Sequence, residues 1–216
     1  DRSPSRGLGD VYKRQVKHET FSLQETVNNI CALTSIKAQD KGLRINIEIE
    51  PDTPDQLSGD LSCFRQVLLN LLTNAVKFSE QGLIKVQIFT DAASDEQITI
   101  EASVIDYGIG IHSSSEDKIF TAFRQVDESV SREYDGAGLG LSICKRMLED
   151  IGGEIDYVSE LGKGSNFWFR QSFTPATDSP PAQTPQTSPI RKNLMVNGSW
   201  PRVLVVDDNR AGRLTM

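Results

Sequence analysis

Asn70, Asn74 and Lys77 recur at i, i+4 and i+7, so on a helix turning 100° per residue they share one face. Two amides and an ammonium on such a face could ligate a hard cation through oxygen and meet a phosphate as a point charge. Taken alone, a solvated helix face accounts for them equally well. Asp106-Tyr107-Gly108-Ile109-Gly110 follows an apolar alternation that ends at Val104. Glycine at 108 and 110 lets backbone approach a flat ligand, and the Asp106 carboxylate can accept a hydrogen bond from an exocyclic amine. A tight turn explains the glycines but not the aspartate. Gly136-Ala137-Gly138-Leu139-Gly140-Leu141 opens a helical pattern, where backbone N–H groups can cradle phosphate. Its G-x-G-x-G spacing is not the G-x-G-x-x-G of dinucleotide folds, and no G-x-x-x-x-G-K-[ST] occurs. A Rossmann site and a P-loop are both unsupported.

The elements that must hold these residues can be read from periodicity. Ser22-Leu23-Gln24-Glu25 has the capping-box pattern. Val27, Ile30, Cys31, Thr34 and Ala38 then recur at helical spacing, and Gly42 fits a stop. Leu43, Ile45, Ile47 and Ile49 alternate with polar residues, as in a half-buried strand. Pro51 and Pro54 make a loop. Asp60 is the expected N-cap of a second helix, whose Phe64, Leu68, Leu71, Leu72 and Ala75 form an apolar stripe away from the amides. Ile84 to Ile88 and Ile98 to Val104 read as two strands joined around Asp91–Asp95. A short helix around 116–123, a polar stretch over 124–137 and a third long helix from about Gly138 to Ile151 follow. Gly152-Gly153 stops that helix, and a hairpin (Ile155 to Val158, Phe167 to Phe173) turns at Gly162-Lys163-Gly164. The expected class is α+β: a two-layer sandwich with one mixed sheet covered on one face by three helices.

Composition narrows the function classes. Of 216 residues, 38% are hydrophobic and 25% charged, enough to bury a core and too apolar for global disorder. The net charge of −7 argues against a nucleic-acid surface, which needs a basic patch. No run of eighteen apolar residues occurs, so no membrane contact is expected of this chain. Cys31, Cys63 and Cys144 lack ligand spacing and read as buried hydrophobes of a reducing compartment, which places the chain in the cytoplasm. Residues 1–15 are polar, aperiodic and tag-like, and are set aside. The Pro/Ser/Thr/Gln-rich stretch 174–200 reads as a flexible linker. Val203-Leu204-Val205-Val206-Asp207-Asp208 then begins a second domain over 201–216.

The order of these pieces resembles the ATP-binding domain of histidine kinases. Asn70–Phe78 is similar to their N box, Asp106–Gly110 to the G1 box, Phe120–Phe123 to the F box and Gly136–Leu141 to the G2 box. Gly162–Phe167 is similar to the last glycine motif, and Gly59-Asp60 with Arg65–Leu68 to the lead-in of the N box. The resemblance covers residues 16–173 and implies the Bergerat fold, shared with DNA gyrase, MutL and the large heat-shock chaperones. It implies ATP and Mg²⁺ as cofactors. Asp106 would then hold the adenine amine, beside Gly108 and Gly110. Asn74 would ligate Mg²⁺ with help from Asn70, Lys77 would contact phosphate, and Gly136, Gly138, Leu139 and Gly140 would line the phosphates. Residues 124–137 would form a lid whose Arg132 reaches the terminal phosphate. Asp135 and Ala137 depart from the family's usual glycine and threonine.

Within that superfamily three classes compete: ATP hydrolase or clamp, phosphotransferase, and nucleotide-binding scaffold. The hydrolysing branches resemble one another in carrying a glutamate four residues before the Mg²⁺-binding asparagine. Here that position is Asn70, and an amide cannot act as a general base near neutral pH. A phosphotransferase is therefore expected. Neither His18 nor His112 sits in a phosphoacceptor pattern. The acceptor is expected on a separate dimerisation domain of the same protein, which implies a homodimer for the longer parent, whose own membrane attachment this sequence does not address. Arg202–Asn209 resembles the first strand of a receiver domain, so a receiver, its own or a separate one, is the other implied partner.

Overall fold

The computed structural model describes residues 18–94, 96–112, 119–121 and 139–176. The chain divides into two units, Asp1–Pro181 and Ala182–Met216, and every described residue belongs to the first. The expectations for residues 1–15, the short helix apart from 119–121, the lid at 124–137, the linker beyond 176 and the receiver start at 201–216 lie outside the described residues.

Strand β1 (Glu19–Ser22) leads into helix α1 (Leu23–Asp40). Ser22 caps α1 by accepting the Glu25 N–H at 3.1 Å, as the capping pattern requires. Its hydroxyl also donates to Asp55 at 2.9 Å, which ties the helix start to the loop before the third strand. Gly42, at φ 71°, turns the chain out of α1 in a left-handed conformation open to glycine. Strands β2 (Leu43–Ile49) and β3 (Gln56–Gly59) follow. Helix α2 (Leu61–Phe78) starts on Asp60, whose carboxylate accepts the Cys63 N–H at 2.9 Å and the Ser62 hydroxyl at 2.6 Å. Strands β4 (Gly82–Ala93) and β5 (Ile98–Asp106), helix α3 (Gly140–Glu149), and strands β6 (Glu154–Glu160) and β7 (Gly164–Pro175) complete the unit.

The sheet order is β1-β3-β7-β5-β4-β2, with β6 also on β7. β2 runs parallel to β4 and the other pairs are antiparallel, so the sheet is mixed. β7 pairs with β5 along one edge; along the other it pairs first with β6 and then, at Thr174 and Pro175, with β3. Alternate residues point inward: Ile84, Val86 and Ile88 from β4, Ile100, Ala102 and Val104 from β5, Phe169 and Phe173 from β7. They meet the stripe of α2, where Phe64 lies 5.3 Å from the Phe169 ring and 5.9 Å from the Phe173 ring. Each of the buried Ile, Val and Phe side chains stabilises the fold by roughly 1.5–3 kcal/mol. The opposite face stays polar. There Arg170 reaches Glu101 at 2.8 Å, Asp91 at 3.4 Å and Glu154 at 3.5 Å, and stacks over Trp168. Partly exposed pairs of this kind add little stability. Among the described residues no helix is long and apolar enough to cross a membrane.

The three helices and the mixed sheet agree with the class expected from periodicity. Three details differ. β1 and β3 are too short, at four residues each, to display alternation. β4 continues five residues past Ile88, through a register shift between Thr90 and Ala92, where small and polar residues hide the pattern. β7 runs two residues into the segment read as linker, because Thr174 and Pro175 pair with Ser58 and Leu57.

All three cysteines are free and buried. Burial pushes the Cys31 thiol up to about 12 and the Cys144 thiol up to about 11. With the thiolate as the reactive species, iodoacetamide at pH 8 should alkylate native Cys31 roughly a thousandfold more slowly than the unfolded thiol. Mass spectrometry of the native and urea-unfolded chain measures this; fast native labelling at Cys31 would contradict the packing described for α1.

Candidate functional site

Helix α2 carries the first group of site residues. Its inner face is fully committed to the core, with Val67, Leu68, Leu71 and Leu72 all at most 2% exposed. That fixes the rotation of the helix and leaves Asn70, Asn74 and Lys77 half-buried along one border. The Asn70 amide lies directly over Gly140, where a Cβ would overlap its Oδ1, and its Nδ2 is buried without a hydrogen-bond partner among the described residues. Asn70 therefore belongs to the seam between α2 and the start of α3. Leu139 and Gly140 stand at that start, half-buried. Gly136, Gly138 and Arg132 lie outside the described residues.

Asp106 is the last residue of β5 rather than a loop residue, and is 6% exposed. Its carboxylate accepts the Gly108 N–H at 2.9 Å. Burial raises its pKa above the ordinary carboxylate range, and the nearby Gly108 and Ser165 backbone N–H groups offset part of that rise. A carboxylate held by a fixed N–H donor has its remaining lone pairs aimed in set directions, which suits a directional acceptor.

The two groups are joined by backbone. Ile109 N–H donates to Phe78 O, the last residue of α2, at 3.2 Å, and any side chain at Gly108 would overlap that same carbonyl. Gly110, at φ 65°, packs on Glu160 and Leu161 of the β6–β7 turn, where Gly162 N–H donates to Ile109 O at 2.8 Å. Gly164, at φ 106°, passes against the backbone of Asp106 and Tyr107. The glycines are thus spaced where three backbone segments cross, and the flat-ligand argument is joined by a packing one.

A hydroxyl cluster that the motifs do not single out sits beside Asp106. Ser159 accepts the Ile111 N–H, donates to Gly164 O and meets the Ser165 hydroxyl, each at 2.9 Å. A shallow depression of about 350 Å³ lined by Asp106, Tyr107, Ser159 and Lys163 opens at this end of the sheet; Asn70, Asn74 and Lys77 do not line it. Phe120, from the F-box stretch, packs edge-on against Tyr157 at 6.0 Å, under the Lys145 ammonium at 5.3 Å. His18 and His112 are exposed. Among the described residues no group of three His, Cys, Asp or Glu side chains is placed to hold a metal ion. The oxygen donors along α2 are amides, which suit a hard cation whose other ligands come from phosphate and water. Asn74 fits that role on its half-buried border. The Asn70 amide lies against the start of α3.

Comparison with known proteins gives a consistent answer. Residues 59–175 match the family model described as histidine kinase-, DNA gyrase B-, and HSP90-like ATPase. The signal transduction histidine-protein kinase BarA of Escherichia coli (strain K12) is 38% identical over 149 residues, 69% of this chain and 16% of that protein. The hybrid signal transduction protein dokA of Dictyostelium discoideum is 36% identical, covering 92% of this chain and 13% of its own length. The chain thus spans less than a fifth of the length of these two relatives. Full-length ShkA in complex with AMPPNP superposes with a TM-score of 0.63 at 32% identity, over 76% of this chain and 32% of that one. The catalytic domain of the histidine kinase ThkA gives 0.57 at 27% identity, over 74% and 99%.

Proposed function

The chain belongs to the family of histidine kinase-, DNA gyrase B- and HSP90-like ATPases, and from that membership we propose that it binds Mg²⁺-ATP and supplies the γ-phosphate to a histidine on another domain. One observation carries the nucleotide reading: Asp106 is a buried carboxylate at the end of β5, held by the Gly108 N–H, and the loop that follows it is bonded directly to the helix that bears Asn74 and Lys77. In this reading Asp106 accepts the adenine amine, Gly108 and Gly110 admit the ring, Asn74 ligates Mg²⁺ with Asn70 beside it, and Lys77 meets phosphate. Gly136, Gly138, Leu139 and Gly140 flank the phosphates, with Arg132 over them. The metal would draw charge from the phosphates and so ease transfer.

Transfer is favoured over hydrolysis by the residue at position 70. Water must lose a proton to attack, and Asn70 cannot take one. A neutral imidazole attacks phosphorus with its own lone pair as the bond to the β,γ-bridging oxygen breaks and ADP leaves. The longer protein would hold the acceptor domain as a homodimer and pass phosphate on to a receiver, its own or a separate one.

Calorimetry with ATP and Mg²⁺ is expected to show binding that weakens strongly with EDTA and in Asn74→Ala. With γ-labelled ATP the chain alone should neither label itself nor release phosphate appreciably. Adding a separate helical dimerisation domain with its acceptor histidine should produce slow transfer in trans, since the tether's effective concentration is missing. Stable label on the lone chain, abolished by His18→Ala, would overturn the assignment of the acceptor. Equal binding by the parent and Asn74→Ala would remove Asn74 from the metal.

A further inference from the structure

We propose that Lys41 is a positioning residue for the nucleotide site: its ammonium holds the last turn of α2 and, through it, the glycine loop that follows β5. The proposal rests on the nucleotide reading above and adds to it a residue that none of the motifs contains.

A helix leaves its last four carbonyls without intrahelical partners. In α2, with Ser79 as C-cap, these belong to Val76, Lys77, Phe78 and Ser79. Lys41 Nζ donates to Val76 O at 3.0 Å and to Lys77 O at 2.9 Å, and reaches Ser79 O at 3.5 Å. Phe78 O accepts the Ile109 N–H. Three of the four carbonyls are therefore satisfied by groups more than thirty residues away or across the glycine loop. The ammonium also opposes the partial negative charge at the helix end.

The side chain starts from a fixed point. Lys41 is the C-cap of α1: its own N–H donates to Ala38 O, and the next N–H, of Gly42, donates to Gln39 O. Gly42 then turns directly into β2, where Leu43 is already paired with Gly82 of β4. One residue thus closes α1 with its backbone and α2 with its side chain. What α2 carries at that end is the machinery proposed for the nucleotide. Lys77 lies in the last turn, and Phe78 O sets the height of Gly108 and Ile109, two and three residues from Asp106. Release of the turn would shift the phosphate and base ends of the site together.

The variants are Lys41→Met, which keeps the stem and loses the donors, Lys41→Arg, which keeps the charge, and Lys37→Met. Lys37 sits one turn earlier in the exposed part of α1, so this last change removes the same charge at a different place. Two quantities are read on the full 216-residue chain: Mg²⁺-ATP affinity by calorimetry, and backbone amide exchange without nucleotide. Lys41→Met is expected to weaken ATP about three- to tenfold, the share of a charge-assisted bond left after solvent screening. It should speed exchange at Ile109 while Ala102 and Phe169 stay protected. Lys41→Arg should recover most of both, and Lys37→Met should change neither. Parental affinity in Lys41→Met overturns the proposal. So does a loss of protection spread evenly over β4, β5 and β7, which would mean general destabilisation. If the parent chain binds no ATP, the nucleotide reading fails, and Ile109 exchange still judges the Lys41 link: unchanged exchange overturns it.

Discussion

Asp106→Asn is expected to weaken ATP binding by about ten- to a hundredfold, from a loss of roughly 1.5–3 kcal/mol when a charged acceptor facing a buried donor is replaced by a neutral amide. The amide can also present its NH₂ to the adenine amine, a donor against a donor. The shape of the pocket is unchanged, so the loss is electronic rather than steric. Two further readouts follow. The mutant should lose the parent's preference for ATP over GTP, since the exocyclic amine is what the carboxylate reads. The parent should also lose affinity on acidification earlier than an ordinary carboxylate would. Burial raises the Asp106 pKa: above that raised value the acceptor form is fully present, and as pH falls through it the proton turns an acceptor into a donor. Asp106→Asn should lack this component of the pH profile. Calorimetry with ATP and GTP across pH checks all three, and an unchanged base preference in the mutant would remove Asp106 from the adenine.

Gly110→Ala is expected to be strongly destabilising for a single methyl, at about 3 kcal/mol or more, with ATP binding lost alongside. Two costs add. Gly110 sits at φ 65°, where an L side chain is strained by about 1 kcal/mol or more. Its Cβ would also fall on the carbonyl of Glu160, and that carbonyl cannot retreat freely because Glu160 is paired with Gly164 in the β6–β7 hairpin. Gly82→Ala is the control. Gly82 has φ 106° but nothing within 4 Å of a Cβ, so it should show only the conformational part, about 1–2 kcal/mol. Urea midpoints of the two variants separate strain from overlap. Equal midpoints would mean that the loop relaxes and that the backbone crossing is not tight.

Ser22 and Asp60 illustrate what could be read without coordinates. A cap acts over three residues, so its chemistry is visible in the order of the chain, and both helices begin where these residues place them. The same holds for the alternation in β2, β5 and the β6–β7 hairpin, and for the shared face of Asn70, Asn74 and Lys77. Other features depend on partners distant in sequence. β1 exists because it pairs with β3, and β3 because it also pairs with β7; neither has an internal pattern. Lys41 looks like any polar residue at a helix end, and only the approach of Val76 and Lys77 gives it a task. The family resemblance gives Asn70 a helping role at the metal beside Asn74. Its place over Gly140 comes from the position of α3, which spacing along α2 cannot reveal. The glycines were legible as special, but their tightest constraint, the crossing of the β5 end over the β6–β7 turn, joins segments about fifty residues apart.

The place of β7 sets an order of events during synthesis. The last of the described strands to be made lies inside the sheet, between β5 on one edge and β6 and β3 on the other. Until it leaves the ribosome, β5 has one bare edge, β3 has no link to β4 and β5, and Asp106 lacks its ladder partner Ser165. Helix α2 and the β4–β5 hairpin can form early from local contacts, yet the nascent domain must wait with an apolar strand edge open to other chains. A polysome carrying this message would hold many such edges at once, so the interval between translation of Asp106 and of Pro175 is when this domain is most exposed to mispairing and most in need of a chaperone.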